Sequence, residues 1–310
     1  MSPDVPPPVH VVSYAQLRAT AGDGIGSYGS VRRFRVNLST EPTQSERWFF
    51  QLFTKENNQS PTDGELWLHD VSWRKKTAKG TWTVGQLRPP FSLQRLTIDR
   101  ELLVPDRATA SDLLSPVGGL GRSFGRDIGV EFDGKPRQGL TYSLGLFRGS
   151  GGLQQVGAGM GGPLVVGRAT QQLGSVQWGG SLAIRHSHSR DFSKVFAGAK
   201  NFRGWDTRMG LDVATHQGPW RISAEYLVGK LEGGLKRRAE GGYADVACKL
   251  SPSTELVAQV QTYSPDIGTN GLTLGVNVIP SDKRNRIQLD YIVQRQHRIE
   301  LQYQYFLVGR

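Results

Sequence analysis

The sequence predicts an all-β protein, a sixteen-stranded antiparallel transmembrane β-barrel whose third outer loop folds inward. Three observations predict it. Segments of about ten residues alternate apolar and hydrophilic side chains along most of the 310 residues. The connections between these segments alternate between short turns and longer loops. Aromatic residues, among them Trp48, Trp73, Trp82 and Tyr303, stand near segment ends, where a barrel carries its aromatic girdles.

The composition is polar, with 37% hydrophobic residues and a net charge of +11 from 38 basic and 27 acidic residues. Two-faced strands produce such an average because each places as many side chains toward water as toward lipid. No run of eighteen apolar residues occurs, which excludes a helical membrane protein. The single cysteine, Cys248, excludes a disulfide framework and a cysteine-rich zinc site. The positive charge favours anionic partners: nucleic acid, acidic lipid headgroups or small anions.

The first eight residues form a proline-rich segment, and residues 9–310 form the predicted barrel. The N-terminus lacks the basic and apolar regions of a signal peptide. The protein is therefore either cytosolic or a mature chain. A barrel favours the second alternative, and we expect a bacterial outer-membrane protein whose signal peptide has been removed.

Each strand is predicted from its own alternation. In residues 219–229, for example, Arg221 and Glu225 alternate with Ile222 and Tyr226, so that one face is polar and the other apolar. The sixteen segments are 9–19, 30–40, 46–55, 63–75, 79–88, 124–134, 139–148, 163–171, 177–187, 206–216, 219–229, 240–250, 254–263, 269–279, 284–294 and 296–307. Apolar residues do not recur at helical spacing in these segments.

The lengths of the connections distinguish the two ends of the barrel. Links after even-numbered segments are generally short, such as Gln217-Gly218, whereas links after odd-numbered segments include the long ones, 89–123, 149–162 and 188–205. Short turns on one side and long loops on the other are typical of outer-membrane barrels. A soluble β-sandwich also alternates, but sixteen segments without a predicted helix favour the barrel.

The longest connection, 89–123, follows the fifth segment and is the predicted constriction loop. A loop of this length in a compact domain is usually functional. It contains Leu93, Leu96, Ile98, Leu102 and Leu103, which argues against full exposure to water. A sixteen-stranded barrel leaves an aqueous channel, so an infolded third loop would narrow that channel.

Three segments carry a resemblance to a known family. Residues 82–102 contain Gly85-Gln86 followed by Pro90-Phe91-Ser92-Leu93, residues 125–150 begin Gly-Arg-Asp-Ile-Gly, and residues 32–36 read Arg-Arg-Phe-Arg-Val. Together they resemble the phosphate-selective porin O and P family. The resemblance implies a sixteen-stranded trimeric porin in the outer membrane that passes phosphate or other anions. Gln94 stands where the family usually has glutamate, and the chain is short for the family.

If the apolar face of each segment meets lipid, the alternation within the segments predicts that most arginines face the lumen. The planar guanidinium group binds oxyanions through paired hydrogen bonds, and a row of weak sites would let an anion pass. The candidate anion-binding and pore-lining residues are Arg33, Arg35, Arg95, Arg100, Arg122, Arg185, Arg208, Arg221, Arg286 and Arg298. Acidic residues of the same faces nearly balance them: Asp70, Asp127, Glu131, Asp212, Glu225, Asp290 and Glu300. No lysine cluster stands near the loop, so we expect a modest anion preference, with phosphate and polyphosphate as possible substrates.

Other chemistries have little support in the sequence. His186 and His188 could bind a metal ion, but a His-Ser-His run in an outer loop is more often merely exposed. His69 and Asp70 have no serine at a spacing that suggests a hydrolase. Arginines spread over nearly every strand do not form the single basic face of a nucleic-acid binder.

We therefore expect a passive anion porin that is not an enzyme and has no cofactor, metal ion or nucleic-acid partner. Its expected partners are small inorganic anions, outer-membrane lipid and two further copies of the chain. The alternative is a barrel that serves as a structural scaffold in an envelope complex, with little selective transport.

Overall fold

The computed structural model describes residues 6–55, 65–117, 125–153, 159–264, 270–281 and 284–309. Its strands are β1 (Val9–Gly22), β2 (Gly26–Thr43), β3 (Glu46–Lys55), β4 (Trp67–Thr77), β5 (Gly80–Leu87), β6 (Asp127–Arg137), β7 (Leu140–Phe147), β8 (Gly159–Met160), β9 (Leu164–Leu173), β10 (Val176–Arg190), β11 (Phe202–Gln217), β12 (Trp220–Gly233), β13 (Arg237–Lys249), β14 (Thr254–Ser264), β15 (Gly271–Val278), β16 (Asn285–Val293) and β17 (His297–Val308).

Sixteen of these strands close into one antiparallel barrel. Each pairs with its neighbours in chain order, and the first pairs with the last, with Leu17 of β1 opposite Tyr303 of β17. The two-residue strand β8 pairs only with the outer end of β10, while β7 pairs directly with β9 past it. The predicted sixteen-stranded barrel is confirmed, and its strands begin and end within a few residues of the predicted segments.

The two faces of the wall differ as the alternation predicts. On β11, Leu211 points outward and is 72% exposed, whereas its neighbour Asp212 points inward and is 6% exposed. The outward row around Leu211 continues through its cross-strand partners Gly180 and Tyr226. An apolar exterior around a polar interior is the arrangement that lipid on one side and water on the other require.

β-Bulges in β2 and β4 break the alternation of inward and outward side chains. In β2, Gln16 opposes Arg33 while Leu17 opposes Val31, so Arg32 is an extra residue. In β4, the shift between Gln51 and Leu52 makes His69 an extra residue in the same way. A bulge lets two consecutive residues face the same side. The simple alternation of inward and outward residues along a strand therefore does not predict which face Arg32 or His69 lies on.

The connection between β5 and β6 contains short helices that the sequence reading does not predict. They are α1 (Leu93–Leu96), a 3₁₀ turn at Asp99–Glu101 and α2 (Thr109–Leu114). Each is only one or two turns long, too short to show a helical period in the sequence. Ser92 begins α1, and its side chain accepts a hydrogen bond from the amide of Arg95 at 3.2 Å. No helix in the described parts of the chain is long and apolar enough to cross a membrane.

Part of the barrel interior is filled by apolar side chains. Leu114 of α2 packs with Phe192 and Phe196, which lie in the connection between β10 and β11, and with the inward-facing Leu227. The hydroxyl of Tyr263 on β14 donates a hydrogen bond to the carbonyl oxygen of Val195 at 2.8 Å. Residues 88–117 and 191–201, from two different connections, thus pack against each other inside the barrel, and their apolar side chains exclude water from this part of the lumen.

Candidate functional site

The described part of the connection after β5 lies against the inner wall. On β12, the carboxylate of Glu225 accepts hydrogen bonds from the Ser92 hydroxyl at 2.8 Å and the Leu93 amide at 2.7 Å. On β15, the Asn277 side chain donates to the carbonyl oxygen of Leu103 at 2.9 Å. Residues 89–117 therefore occupy the lumen, and residues 118–123 of the predicted constriction loop lie outside the described residues.

Asp99 joins this segment to the inner wall through several arginines. Its carboxylate forms ion pairs with Arg35 of β2 and with Arg107 of the segment itself, and it lies 3.6 Å from the Nε of Arg33. Burial would raise the pKa of the Asp99 carboxyl, but the charges of the surrounding arginines outweigh it and hold that pKa well below its usual range. One carboxylate thus ties the loop to the barrel wall.

Asp106 makes a second attachment to the wall. Its carboxylate oxygens lie 2.8 Å from Nη1 of Arg18 on β1 and 2.8 Å from Nη2 of the bulge residue Arg32. Arg18 also lies 3.1 Å from Glu300 of β17. Burial again opposes ionisation, and Arg18 and Arg32 again lower the pKa of the Asp106 carboxyl well below its usual range.

We expect the contribution of Asp99 to survive mild acid. A carboxyl whose pKa is lowered on folding stabilises the folded state above its ordinary pKa, and that stability is lost only as the pH falls through the lowered value. The difference in thermal midpoint between the protein and an Asp99→Asn variant, measured in detergent, should therefore stay constant from pH 7 to about 5 and close only below about pH 4. A difference that disappears already near pH 6 would contradict the lowered pKa.

Four guanidinium groups gather where the segment leaves and rejoins the wall. This arginine cluster consists of Arg88, Arg95, Arg107 and Arg126. Burial lowers the pKa of the Arg88 guanidinium well below its usual range, and the positive charges of Arg126, Arg107 and Arg95 lower it further. Such mutual repulsion marks a region with an excess of positive charge.

Three members of the arginine cluster have a carboxylate partner. Arg95 lies 2.6 Å from Asp112, Arg107 pairs with Asp99, and Arg126 holds Asp70 through two bonds of 2.8 and 2.9 Å. Arg88 instead donates to the carbonyl oxygens of Arg95 and Thr97, and within the described ranges it has no carboxylate partner. Because Asp99 is also shared with Arg33 and Arg35 of the wall, positive charge exceeds negative charge here.

A glycine allows Arg95 to take its place in the cluster. Gly125 adopts φ +78°, and a Cβ built on it would lie 1.7 Å from Nη2 of Arg95. Any other side chain would be strained by this backbone conformation and would collide with the guanidinium group.

Two cavities open beneath the segment, near the short turns. One, of about 470 Å³, is lined by Arg100, Arg221 and Arg286 together with Glu101, Asn285, Ile279, Gln304 and Phe306. The other, of about 430 Å³, shares Arg221 and Glu101 and reaches Tyr243 and Asp245. Within the first cavity, Arg286 donates to the carbonyl oxygen of Arg100 at 2.9 Å and Arg221 pairs with Glu255. Guanidinium groups thus line the space between the loop and the short-turn end.

The structure separates the ten candidate arginines into groups. Arg33, Arg35 and Arg95 lie at or beside the arginine cluster, and Arg100, Arg221 and Arg286 line the cavity below it. Arg298 pairs with Glu300 at 2.8 Å on the wall. Arg122 lies outside the described residues.

Arg185 and Arg208 stand apart from the other candidates. Both pair with Asp206 and are only 1% and 2% exposed, with their guanidinium groups stacked near the rings of Phe192 and Phe196. Arg185 also donates to the carbonyl oxygen of Pro116 at 2.7 Å. These contacts attach the loops to the wall and leave little of either arginine open to the lumen.

Several residues of the site are not among the sequence candidates. Arg88 and Arg126 flank the loop at its two ends, and Arg107 lies within it. Their only signal in the sequence is their position. Arg88 directly follows β5, Arg126 directly precedes β6, and Arg107 directly follows Asp106 in the loop. Among the described residues, no group of three His, Cys, Asp or Glu side chains is arranged to hold a metal ion.

Comparison with known proteins agrees with this architecture. A model of the family described as phosphate-selective porin O and P matches residues 12–304. None of the curated proteins searched matches the chain.

Several solved structures are similar in fold. An anion-selective porin from Comamonas acidovorans has a TM-score of 0.72 at 12% identity, covering 97% of this chain and 99% of that one. OmpF of Salmonella typhi, in complex with daunomycin, has a TM-score of 0.69 at 8% identity and covers 97% and 98%. The trimer form of OmpT from Vibrio cholerae has a TM-score of 0.67 at 10% identity and covers 97% and 100%.

Proposed function

The chain belongs to the phosphate-selective porin O and P family, and from this premise we propose that it is an outer-membrane porin through which small anions diffuse passively. Phosphate is the candidate substrate that the family's description suggests, and polyphosphate is the second anion that we propose. The observation that carries the proposal is the arginine cluster, which places an excess of guanidinium groups on a loop inside the barrel.

The surroundings of the cluster support an anion path. Arg88 has only carbonyl partners within the described residues, and Arg95 shares its charge with Asp112, whose side chain is 51% exposed. An anion that reaches this point can replace water by guanidinium hydrogen bonds at little cost. Because these sites are partly neutralised by carboxylates, each would release the anion again.

A second set of arginines on the proposed anion path lies nearer the short turns. Arg100, Arg221 and Arg286 line the cavity of about 470 Å³, which is wide enough for a hydrated oxyanion. We infer that an anion passes from the arginine cluster to these three arginines on its way through the barrel. Arg185 and Arg208 take no part in this path because they are buried behind Phe192 and Phe196.

The family and the fold support a channel and not an enzyme. The trimer form of OmpT supports the proposal that three copies of this chain assemble in the membrane. Long loops would then face the exterior and short turns the periplasm, as in other outer-membrane barrels.

Single-channel recording in planar bilayers tests the function directly. Under a tenfold gradient of potassium chloride, we expect a reversal potential displaced toward the chloride equilibrium potential, because the arginine cluster enriches anions. A displacement toward the potassium equilibrium potential would reject the anion path. Absence of any conductance would instead favour the structural scaffold.

A further inference from the structure

A group of basic side chains lies on the outside of the barrel, away from the lumen. This outer-rim basic patch consists of Arg203 on β11, Lys230 on β12, Lys236 in the connection 234–236, and Arg238 on β13. Arg203, Lys236 and Arg238 are exposed, and Lys230 is half-buried. The inward-facing neighbours Phe202, Leu231 and Ala239 are buried, so alternation turns the strand residues of the patch outward.

Like charges face each other within the patch. Lys230 stands directly opposite Arg238 across the β12–β13 pair, an arrangement that destabilises a sheet when nothing neutralises it. Glu240 pairs with Arg238 on the same face. Within the described residues, Arg203, Lys230 and Lys236 form no ion pair. The patch therefore keeps positive charge for a partner from outside the chain.

The aromatic residues show the depth of the patch. Trp205 lies outward at the long-loop end of β11, opposite Glu232, and Lys230 follows one step lower on that face, opposite Thr207. Trp178 and Trp220 lie outward near the short turns, with Trp178 opposite Val213. Eight residues separate Trp205 from Val213, roughly 26 Å along the strand, and a strand tilted by about 40° then spans about 20 Å of membrane height, most of an apolar band about 25 Å tall. The patch stands at the outer boundary of that band.

We propose that the outer-rim basic patch binds the phosphate groups of a phosphorylated glycolipid in the outer leaflet of the membrane. The guanidinium of Arg203 and the ammonium groups of Lys230 and Lys236 lie at the depth of lipid headgroups, and basic clusters at this depth attract anionic lipid. Below them, Met209 and Leu211 present an exposed apolar surface to acyl chains. This inference rests on the outer-membrane location, but it does not depend on the selectivity of the pore.

Binding of lipid A, with and without its phosphates, tests the proposal. The purified protein in detergent would be titrated with bisphosphorylated lipid A and followed by native mass spectrometry. A Lys230→Gln, Lys236→Gln variant should bind about tenfold more weakly or worse, since each basic residue at a membrane surface strengthens the attraction for anionic lipid by a similar amount. The matched control removes two exposed lysines at the short-turn end, Lys79→Gln and Lys249→Gln, and should bind like the unaltered protein.

Several results would overturn the proposal. Equal binding by the double variant and the unaltered protein would do so, as would equal binding of lipid A without phosphates. Competition by millimolar inorganic phosphate at the patch would assign it to free phosphate. If the double variant altered subunit assembly and left lipid binding unchanged, the surface would be a contact between copies of the chain. Reversal potentials should be the same in both variants, so failure here is distinguishable from failure of the anion path.

Discussion

Replacing Asp99 by asparagine is expected to loosen the loop after β5, the predicted constriction loop, and to destabilise the protein by about 3–5 kcal/mol, the typical cost of removing one partner from a buried ion pair. Asp99 is 4% exposed and lies among Arg33, Arg35 and Arg107. Without it, Arg35 and Arg107 would have no carboxylate partner among the described residues, and Arg33 would keep only Asp106, at 3.8 Å. Their repulsion would push residues 97–107 away from the wall. The thermal midpoint should fall, and single-channel conductance should rise because the loop no longer narrows the lumen.

The control is the same chemical change at another aspartate of the loop, Asp112. Asp112 pairs with Arg95 but is half-exposed, so an Asp112→Asn variant should lose about 1 kcal/mol or less. Its conductance should stay close to that of the unaltered protein. If Asp99→Asn were no more destabilised than Asp112→Asn, Asp99 would not be the residue that ties the loop to the barrel.

Removing two charges from the arginine cluster is expected to abolish most of the anion preference. In an Arg88→Gln, Arg95→Gln variant, the glutamine side chains can still donate hydrogen bonds, but the local excess of positive charge is lost. The remaining Arg107 and Arg126 would then be balanced by Asp99 and Asp70, and Asp112 would lose its ion pair with Arg95. The ratio of anion to cation permeability, taken from the reversal potential, should fall several-fold and approach that of a neutral pore.

A second control distinguishes the effect on selectivity of charge at the mouth of the barrel from that of charge at the arginine cluster. The Lys79→Gln, Lys249→Gln variant removes the same total charge at the exposed short-turn end. There water and salt screen the charge, and selectivity should change little. An equal loss of selectivity in both variants would mean that overall charge, and not the arginine cluster, sets the preference of the pore.

The alternation of the sequence suffices to predict the barrel because each strand must show lipid one face and water the other. Arg33, Arg35, Arg221 and Arg286 face inward as their parity predicts. Parity fails at Arg32, where a bulge in β2 adds a residue. No residue pattern within β2 indicates such a bulge, because the stability of a bulge depends on the strand that pairs with it.

The sequence predicts the burial of the loop but not its contacts. Its length and its leucines predict burial, but nothing in residues 89–123 indicates that Asp99 will meet Arg35, or that Phe192 will pack on the loop from a connection far along the chain. These contacts join residues that are distant in sequence. They exist only once the barrel has closed and brought the inner faces together.

The sequence by itself determines the strand number, the two-faced wall and the surplus of arginine, because those follow from local alternation and composition. Counted by parity alone, acids and bases on the inner face nearly cancel. Tertiary structure decides where each charge lies: Arg88, Arg95, Arg107 and Arg126 gather at the loop, whereas Glu225 accepts hydrogen bonds from Ser92 and Leu93 near its start and Asp245 lies on β13 beside Ser223. Because electrostatic interaction depends on distance and burial, this arrangement, and not the composition, would give the proposed anion path its positive charge.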